Sequence, residues 1–346
     1  MNSLERFYAT VERKPVDRPA AWLGMPDIKA QPALFQHYEV EDLHALKLEV
    51  GDDFYAIEVP YQSPTANAIY AAFDWYNDGK VDSEERTLTT PGCFVEAEEL
   101  EDLNFFQWPD PEKYIDPEEC RRRVAQAPKD KVKLGMCWSA HFQDTCASFG
   151  METALMNMII NPELYEAVNE KVVDFYLKAN KIFYEATKGE LNAVLIGNDM
   201  GSQRGLMLSP DMIRSFVIPG CKKLVEQAHA YGLKVIYHSC GSISDIIPDL
   251  IEAGVDVIHP IQALAEGMEP QGLKEKFGDK VSFCGGVDTQ DLLVNGTCDQ
   301  VRAKVKELRE LFPTGLIISP SHEAIMQDVP PENIRALFEE AKKIYS

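Results

Sequence analysis

Eight short apolar runs, each closed by a turn signal, recur along this 346-residue chain, and from the third onward a longer helical pattern follows each of them. The runs are 20–24, 53–60, 132–137, 192–197, 234–239, 255–260, 281–285 and 315–319. The segments 162–188, 210–231, 243–253, 270–277, 299–312 and 331–345 carry helical periodicity. Four of these six open on proline, which suits a first turn because its missing N–H would have no intrahelical partner there. Strand and helix in strict alternation imply a parallel sheet covered by helices on its faces. Buried parallel strands read as continuous apolar stretches, as Ala193-Val194-Leu195-Ile196 and Leu316-Ile317-Ile318 do. Eight such units predict an α/β fold, a (β/α)8 TIM barrel, as a single domain over 1–346. A doubly wound open sheet is the competing arrangement, and no Gly-x-Gly-x-x-Gly follows a strand to support its nucleotide-binding form.

The alternation breaks at 62–130, between the second and third strands. That segment holds Tyr70, Phe73, Trp75, Tyr76, Phe94, Phe105, Phe106 and Trp108, an acidic stretch at 96–102 and the turn Pro109-Asp110-Pro111. An insertion at this place lies over the C-terminal mouth of a barrel, where active sites sit, and so reads as a lid; the plainer reading packs it on the outer helices.

Composition narrows the function. Lysine and arginine number 34 against 56 acids, and a net charge of −22 repels both nucleic-acid phosphates and anionic lipid. No apolar run approaches the ~20 residues of a membrane span. No apolar h-region follows Met1, so the chain reads as cytoplasmic. The eight cysteines are scattered, as in a reducing compartment, and each is by default a small buried thiol.

At the C-terminal strand ends the polar residues concentrate: Glu58 and Tyr61, Trp138 and Ser139, Asn198 and Asp199, His238 and Cys240, His259 and Gln262, Cys284 and Asp288, and Ser321, His322 and Glu323. A structural core has no use for such a set, and its metal-ligand and proton-transfer types point to an enzyme. The sharpest element is Tyr237-His238-Ser239-Cys240-Gly241. On a strand, residues i and i+2 share a face, so His238 and Cys240 can present a ring nitrogen and a thiolate to one zinc ion. A catalytic zinc takes a third protein donor, for which His322 is the first candidate and Cys284 and Glu323 are the alternatives. Asp199 either orients substrate or acts as general acid, or it caps a turn or pairs with Arg204. Glu58, in an apolar strand where burying a carboxylate is costly, reads as a further catalytic, zinc or substrate contact or as the partner of a lysine. Asn198, Tyr61, Trp138 and Gln262 are the expected substrate-binding residues. Asp288 reads as a helix cap, and His141 and His229 as structural.

The runs Tyr237-His238-Ser239-Cys240-Gly241-Ser242-Ile243, Gly254-Val255-Asp256, Gly285-Gly286-Val287-Asp288-Thr289-Gln290 and Ser319-Pro320-Ser321-His322 through Asp328-Val329-Pro330-Pro331-Glu332-Asn333 closely resemble the uroporphyrinogen decarboxylase superfamily. Lys14-Pro15-Val16-Asp17-Arg18-Pro19 and Asn198-Asp199-Met200-Gly201 extend the resemblance over nearly the whole chain. It implies a (β/α)8 barrel, in agreement with the strand count. Within the superfamily the chain looks like the corrinoid-linked, zinc-dependent methyltransferases. The decarboxylase carries an arginine-rich segment after its first strand; here Gly24-Met25-Pro26-Asp27 follows, and no arginine occurs between Arg18 and Arg86. The methyltransferase branch implies His238 and Cys240 as zinc ligands. Its better-known members add a cysteine after the eighth strand, where this chain has none and offers His322 and Glu323.

The resemblance thus implies transfer of a methyl group between a small methylated substrate and the cobalt of a corrinoid. A harder ligand set suits an oxygen substrate such as a methyl ether. The cobalt must come from a separate corrinoid protein, because the one Asp-x-His here, Asp42-Leu43-His44, has Lys47 where the corrinoid-binding signature has glycine. Run in reverse, the site methylates a thiol or a folate. A metal-independent decarboxylase or lyase on the same barrel, and a non-catalytic binding protein, are the remaining classes. Homo-oligomerisation is left open.

Overall fold

A computed structural model describes residues 1–63, 68–78 and 89–344, the side chains at 75, 77 and 78 excepted. Trp75's side chain, Arg86 and Tyr345 therefore lie outside the described residues. Each of the eight apolar runs forms a strand: β1 (Ala20–Ala21), β2 (Phe54–Glu58), β3 (Val132–Trp138), β4 (Ala193–Gly197), β5 (Lys234–His238), β6 (Val257–Ile261), β7 (Ser282–Val287) and β8 (Leu316–Pro320). They pair in parallel in the order β1-β8-β7-β6-β5-β4-β3-β2, a (β/α)8 barrel with one seam, between β1 and β2, that lacks a ladder. Alternate residues point inward. Trp22, Phe54, Leu134, Leu195, Ile236, Val257, Cys284 and Ile317 form one apolar cluster inside the barrel, joined by Phe7 and Val11 of α1 (Ser3–Val11).

The helices depart from the sequence pattern where proline or burial overrides periodicity. The segment 210–231 is two helices, α9 (Pro210–Phe216) and α10 (Ile218–Ala230), because Pro219 has no N–H to continue the first and instead opens the second. The long helix α8 (Pro162–Ala186) is preceded by α6 (His141–Phe149) and α7 (Met151–Ile160). Seven of the nine residues of α6 are buried, so it has no polar face to give it a period. Helices α2 (Gln31–Tyr38) and α3 (Leu43–Val50) follow β1, and α4 (Ala68–Asp78) and α5 (Pro117–Gln126) lie between β2 and β3. The remaining helices are α11 (Ile247–Glu252), α12 (Pro270–Phe277), α13 (Leu292–Asn295), α14 (Cys298–Leu311) and α15 (Pro331–Lys342). No helix among the described residues is long and apolar enough to cross a membrane.

Four of the described aromatic residues of 62–130 pack on one another. Phe73, Phe94, Phe106 and Trp108 have ring centroids between 4.8 and 6.1 Å apart, and Phe94 reaches Phe149 of α6 at 5.8 Å. Their apolar area is spent on a local core.

At the β1–β2 seam two buried carboxylates replace the missing ladder. Asp53 donates its N–H to Ala21 O (2.9 Å), and its Oδ2 accepts from Ala21 N (2.9 Å). Asp52 Oδ2 accepts from Leu23 N (3.0 Å) and from Lys47 Nζ (2.8 Å). The Asp53 carboxylate is further held by Arg6 (2.9 Å), by both terminal nitrogens of Arg18 (2.8 and 3.0 Å) and by Ser3 Oγ (2.8 Å). Each oxygen removed from water is thus repaired by charged or backbone donors, which is the condition for a buried ion pair to be tolerated.

Removing Asp53 takes a partner from several groups at once. Asp53→Ala is expected to destabilise the protein by about 3–5 kcal/mol, since Arg18 loses both of its bonds to the carboxylate, Arg6 keeps only Asp17 as a carboxylate partner, and the Ala21 N–H at the seam loses its acceptor. Urea unfolding of the two proteins measures this, and a variant as stable as wild type would show that the seam does not depend on Asp53.

Candidate active site

The mouth of the barrel is shaped first by close backbone approaches. A Cβ on Gly197, the last residue of β4, would lie 1.9 Å from His238 O, so only glycine lets β4 and β5 run this close. That contact, with Asn198 N donating to His238 O at 3.0 Å, sets His238 and Asp199 side by side. Gly24 has φ +80°, and a Cβ there would be 2.2 Å from Glu323 O; the loop after β1 accordingly lies against the loop after β8, with Met25 N donating to Glu323 O at 2.7 Å. Trp138 and Ser139 end β3 at φ 55° and 53°, an uncommon conformation for a residue as bulky as tryptophan. The turn aims the indole at His238, with ring centroids 5.8 Å apart and edge-on.

His238, almost fully buried, is engaged on both ring nitrogens. Nε2 lies 3.2 Å from Asp199 Oδ1 and 3.5 Å from Cys240 Sγ. Nδ1 lies 3.0 Å from His259 Nδ1 and 3.5 Å from Glu323 Oε2. Burial opposes a charge on this ring, but the hydrogen bonds to Asp199 and Cys240 and the charge of Glu323 outweigh it and raise its pKa well above the ordinary value. Burial likewise works against the Asp199 carboxylate, yet His238 and the N–H of Cys240 (2.8 Å) hold it at about 2. Asp199 pairs with His238 and Cys240, and Gln143 of α6 brackets it, accepting its N–H (3.0 Å) and donating to Oδ2 (3.4 Å).

The nearby Cys240 sulfur and the charge of Glu323 raise the pKa of His322 against burial. Its Nδ1 accepts the N–H of Ala324 at 3.0 Å, so a neutral His322 carries its proton on Nε2. Glu323 Oε2 stands 3.5 Å from Nδ1 of both His238 and His322, buried without a hydrogen bond among the described residues.

Two donor sets therefore share His238. Asp199, His238 and Cys240 offer a carboxylate, an imidazole and a thiolate with ligand atoms within 4.8 Å of one another; His238, His259 and Glu323 do the same on the other side of the ring. The first set is made of the ligand types that zinc takes. Cys284 belongs to neither set. It is fully buried in the interior cluster, where burial pushes its thiol far up.

Other expected residues have different surroundings. Glu58 is exposed, which corrects the premise that its strand buries it; strand β2 turns it out toward a side cavity of about 500 Å³ also lined by Lys47, Arg122 and Arg123. Tyr61 stacks on Phe175 of α8 (6.3 Å), its hydroxyl without a partner among the described residues. Gln262 Oε1 accepts from Gly241 N (2.9 Å) and Gln203 Nε2 (3.2 Å), tying the turn after Cys240 to the loop at 201–206. Asp288 Oδ2 caps the next turn through the N–H groups of Asp291 and Leu292.

The functional neighbours that sequence reasoning left without a role are His259 and Gln143. His259 stands among the strand-end polar residues, but Gln143 lies on a helix with no periodic signal.

A model of the uroporphyrinogen decarboxylase (URO-D) family matches residues 97–344, most of the chain and every donor named above. The chain belongs to the uroporphyrinogen decarboxylase family. It is also 25% identical over 183 residues to methylated-thiol–coenzyme M methyltransferase of Methanosarcina mazei, a match covering 53% of this chain. The chain spans only about half the length of that curated relative, 46%. A solved methyltransferase from Methanosarcina mazei superposes with a TM-score of 0.72 at 17% identity over 100% of both chains, which shows that this family member shares its fold.

Beneath the mouth, the family's barrel is braced by a buried polar network. Asn198 Oδ1 accepts Phe142 N (2.8 Å), and its Nδ2 donates to Tyr237 OH (3.2 Å), which meets Cys221 Sγ (2.7 Å). His141 lies 3.7 Å from that sulfur and donates from Nδ1 to Asn169 Oδ1 (3.0 Å). The amide expected to bind substrate is thus engaged in holding the Asn198–Asp199 turn.

Burial lowers the His141 pKa from 6.5 to about 4. The unfolded chain therefore takes up a proton here before the folded one does, and stability falls as pH drops from 6.5 and levels off below 4, by roughly 3 kcal/mol in all. The expected outcome is that His141→Asn lacks this component, so the stability difference from wild type narrows between pH 7 and pH 4.5. Parallel pH profiles for the two proteins would contradict it.

Proposed function

We propose that this protein is a zinc-dependent methyltransferase that moves a methyl group between a small methylated substrate, a methyl ether in the first instance, and the cobalt of a separate corrinoid protein. The observation that carries this reading is the thiolate–imidazole–carboxylate set of Cys240, His238 and Asp199 at the mouth of a URO-D barrel. The donor chemistry fits zinc. Asp199 is our choice of third donor, supported by its oxygen lying within 4.8 Å of the other two ligand atoms; His322 would ligate through Nε2 only by giving up the bond its Nδ1 accepts from Ala324. An ion held there supplies Lewis acidity at the heteroatom bearing the methyl group, with the corrinoid cobalt as methyl acceptor.

The remaining work falls to the chain. Asp199, a carboxylate at neutral pH, has no proton to donate and serves to orient. Trp138 covers one edge of His238 and keeps water from it. Gln262 and Gln203 hold the loop at 201–206 against the turn after Cys240. Glu58, exposed beside the side cavity, stands apart from the donor set. The segment 62–130 is taken as the lid-like part of a single domain over 1–346. The name of the Methanosarcina mazei relative favours one second reading, in which the methyl group passes between the corrinoid and a thiol.

Metal content of protein purified without chelators tests the reading. About one zinc per chain, lost in His238→Ala and Cys240→Ala while both remain folded, supports it and justifies screening methyl ethers and methylated thiols with a reduced corrinoid. A metal-free wild type turns the reading to decarboxylation or lyase chemistry centred on Asp199.

The third donor is tested separately. Asp199→Ala is expected to weaken zinc binding more than His322→Ala does, and the reverse order would assign that place to His322.

A further inference from the structure

A histidine that gives Nε2 to a metal must keep its proton on Nδ1, and the acceptor of that N–H fixes both the tautomer and the ring's orientation. In His238 the Nε2 side faces Asp199 and Cys240, so the question falls on Nδ1, 3.0 Å from Nδ1 of His259. His259 is fully buried. Its ring sits 5.0 Å from that of Trp22, inside the barrel. Its other nitrogen, Nε2, has no hydrogen-bond partner among the described residues. A buried imidazole with its proton on Nε2 presents a bare Nδ1, and the neighbour that Nδ1 faces is the N–H of His238. The unpaired Nε2–H is a cost of the kind that buried polar groups seldom carry without purpose.

We infer that His259 is a positioning residue: it accepts the Nδ1–H of His238 and thereby turns Nε2 toward the zinc site. The inference rests on the zinc reading above and deepens it. Glu323 is part of the same device. Its Oε2 also stands on the Nδ1 side, 3.5 Å from that nitrogen, where a carboxylate makes the ring a stronger donor to a metal. The second donor set, His238, His259 and Glu323, is then the support of the first rather than a second binding position. The strand order makes this possible, because β5 and β6 are neighbours and His238 pairs in register with His259.

The test is zinc affinity of the full chain by competition with a chromophoric chelator, with thermal unfolding as the control for folding. His259→Leu removes the acceptor; His259→Asn keeps an oxygen near the position of Nδ1. The expected result is a zinc affinity about 10- to 100-fold weaker in His259→Leu at unchanged stoichiometry, restored close to wild type in His259→Asn. Unchanged affinity in His259→Leu overturns the inference. Loss of stoichiometric zinc in both His259 variants, as in Cys240→Ala, overturns it too and makes His259 a ligand. Should His259→Leu fail to fold, the wild-type and His259→Asn proteins carry the test by histidine-selective NMR. A slowly exchanging, downfield proton on His238 Nδ1 in both supports the inference, and its absence from wild type refutes it. That spectrum is recorded with and without zinc, so a wild type that takes up no metal defeats the zinc reading while the hydrogen bond is still judged by itself.

Discussion

The barrel closes through the side chain of Asp53. Seven of its eight seams are ladders of backbone hydrogen bonds; the eighth has one backbone bond, from Asp53 to Ala21, and the carboxylates of Asp52 and Asp53 answer the other free amides. Much follows from that substitution. β1 is only two residues long, and what it pairs with, β8, carries the loop that ends in His322 and Glu323. Met25 and Gly24, just past β1, lie directly on Glu323. Holding β1 in place therefore holds Glu323 beside His238, and the link from the foot of the barrel to its mouth runs through Arg6, Arg18 and Asp53.

At the mouth the governing quantity is charge gathered around a buried His238. His238 is gripped by Asp199 on one nitrogen and has Glu323 near the other. In the absence of a cation the ring itself becomes the positive charge between them, and Asp199 stays ionised. A site poised in this way is built around a positive centre. Cys240 and His322 add a soft donor and a proton-bearing neighbour on the same side. The chemistry proposed here asks only that an ion take the place that the imidazolium proton holds.

Much of this was legible in the residues. Parallel strands buried on both faces must be apolar throughout, so all eight runs stood out, with boundaries close to those of the strands. The i, i+2 spacing of His238 and Cys240 forces a common face on any strand, and the URO-D motifs are local strings. Helix α6 did not stand out, because a helix buried on nearly every side has no amphipathic period; α7 did not because apolar residues such as Ile159 and Ile160 also lie on its exposed side; and the break at Pro219 fell inside an otherwise continuous pattern. Glu58 misled for a related reason: an apolar strand near its end can still turn a side chain into an open cavity.

The sequence by itself determined the class of fold, the crowding of polar residues at the mouth, and the common face of His238 and Cys240, since each depends on periodicity or on neighbours along the chain. Tertiary structure alone decided that Asp199 meets His238 rather than Arg204, that Cys284 is sealed in the interior, that His322 spends one nitrogen on Ala324, and that His259 stands behind His238. Apart from the local His322–Ala324 bond, these contacts join residues of different strand ends, 21 or more positions apart in the chain. Their distances are set by the order and register in which parallel strands close a barrel, and no local pattern of residues encodes that.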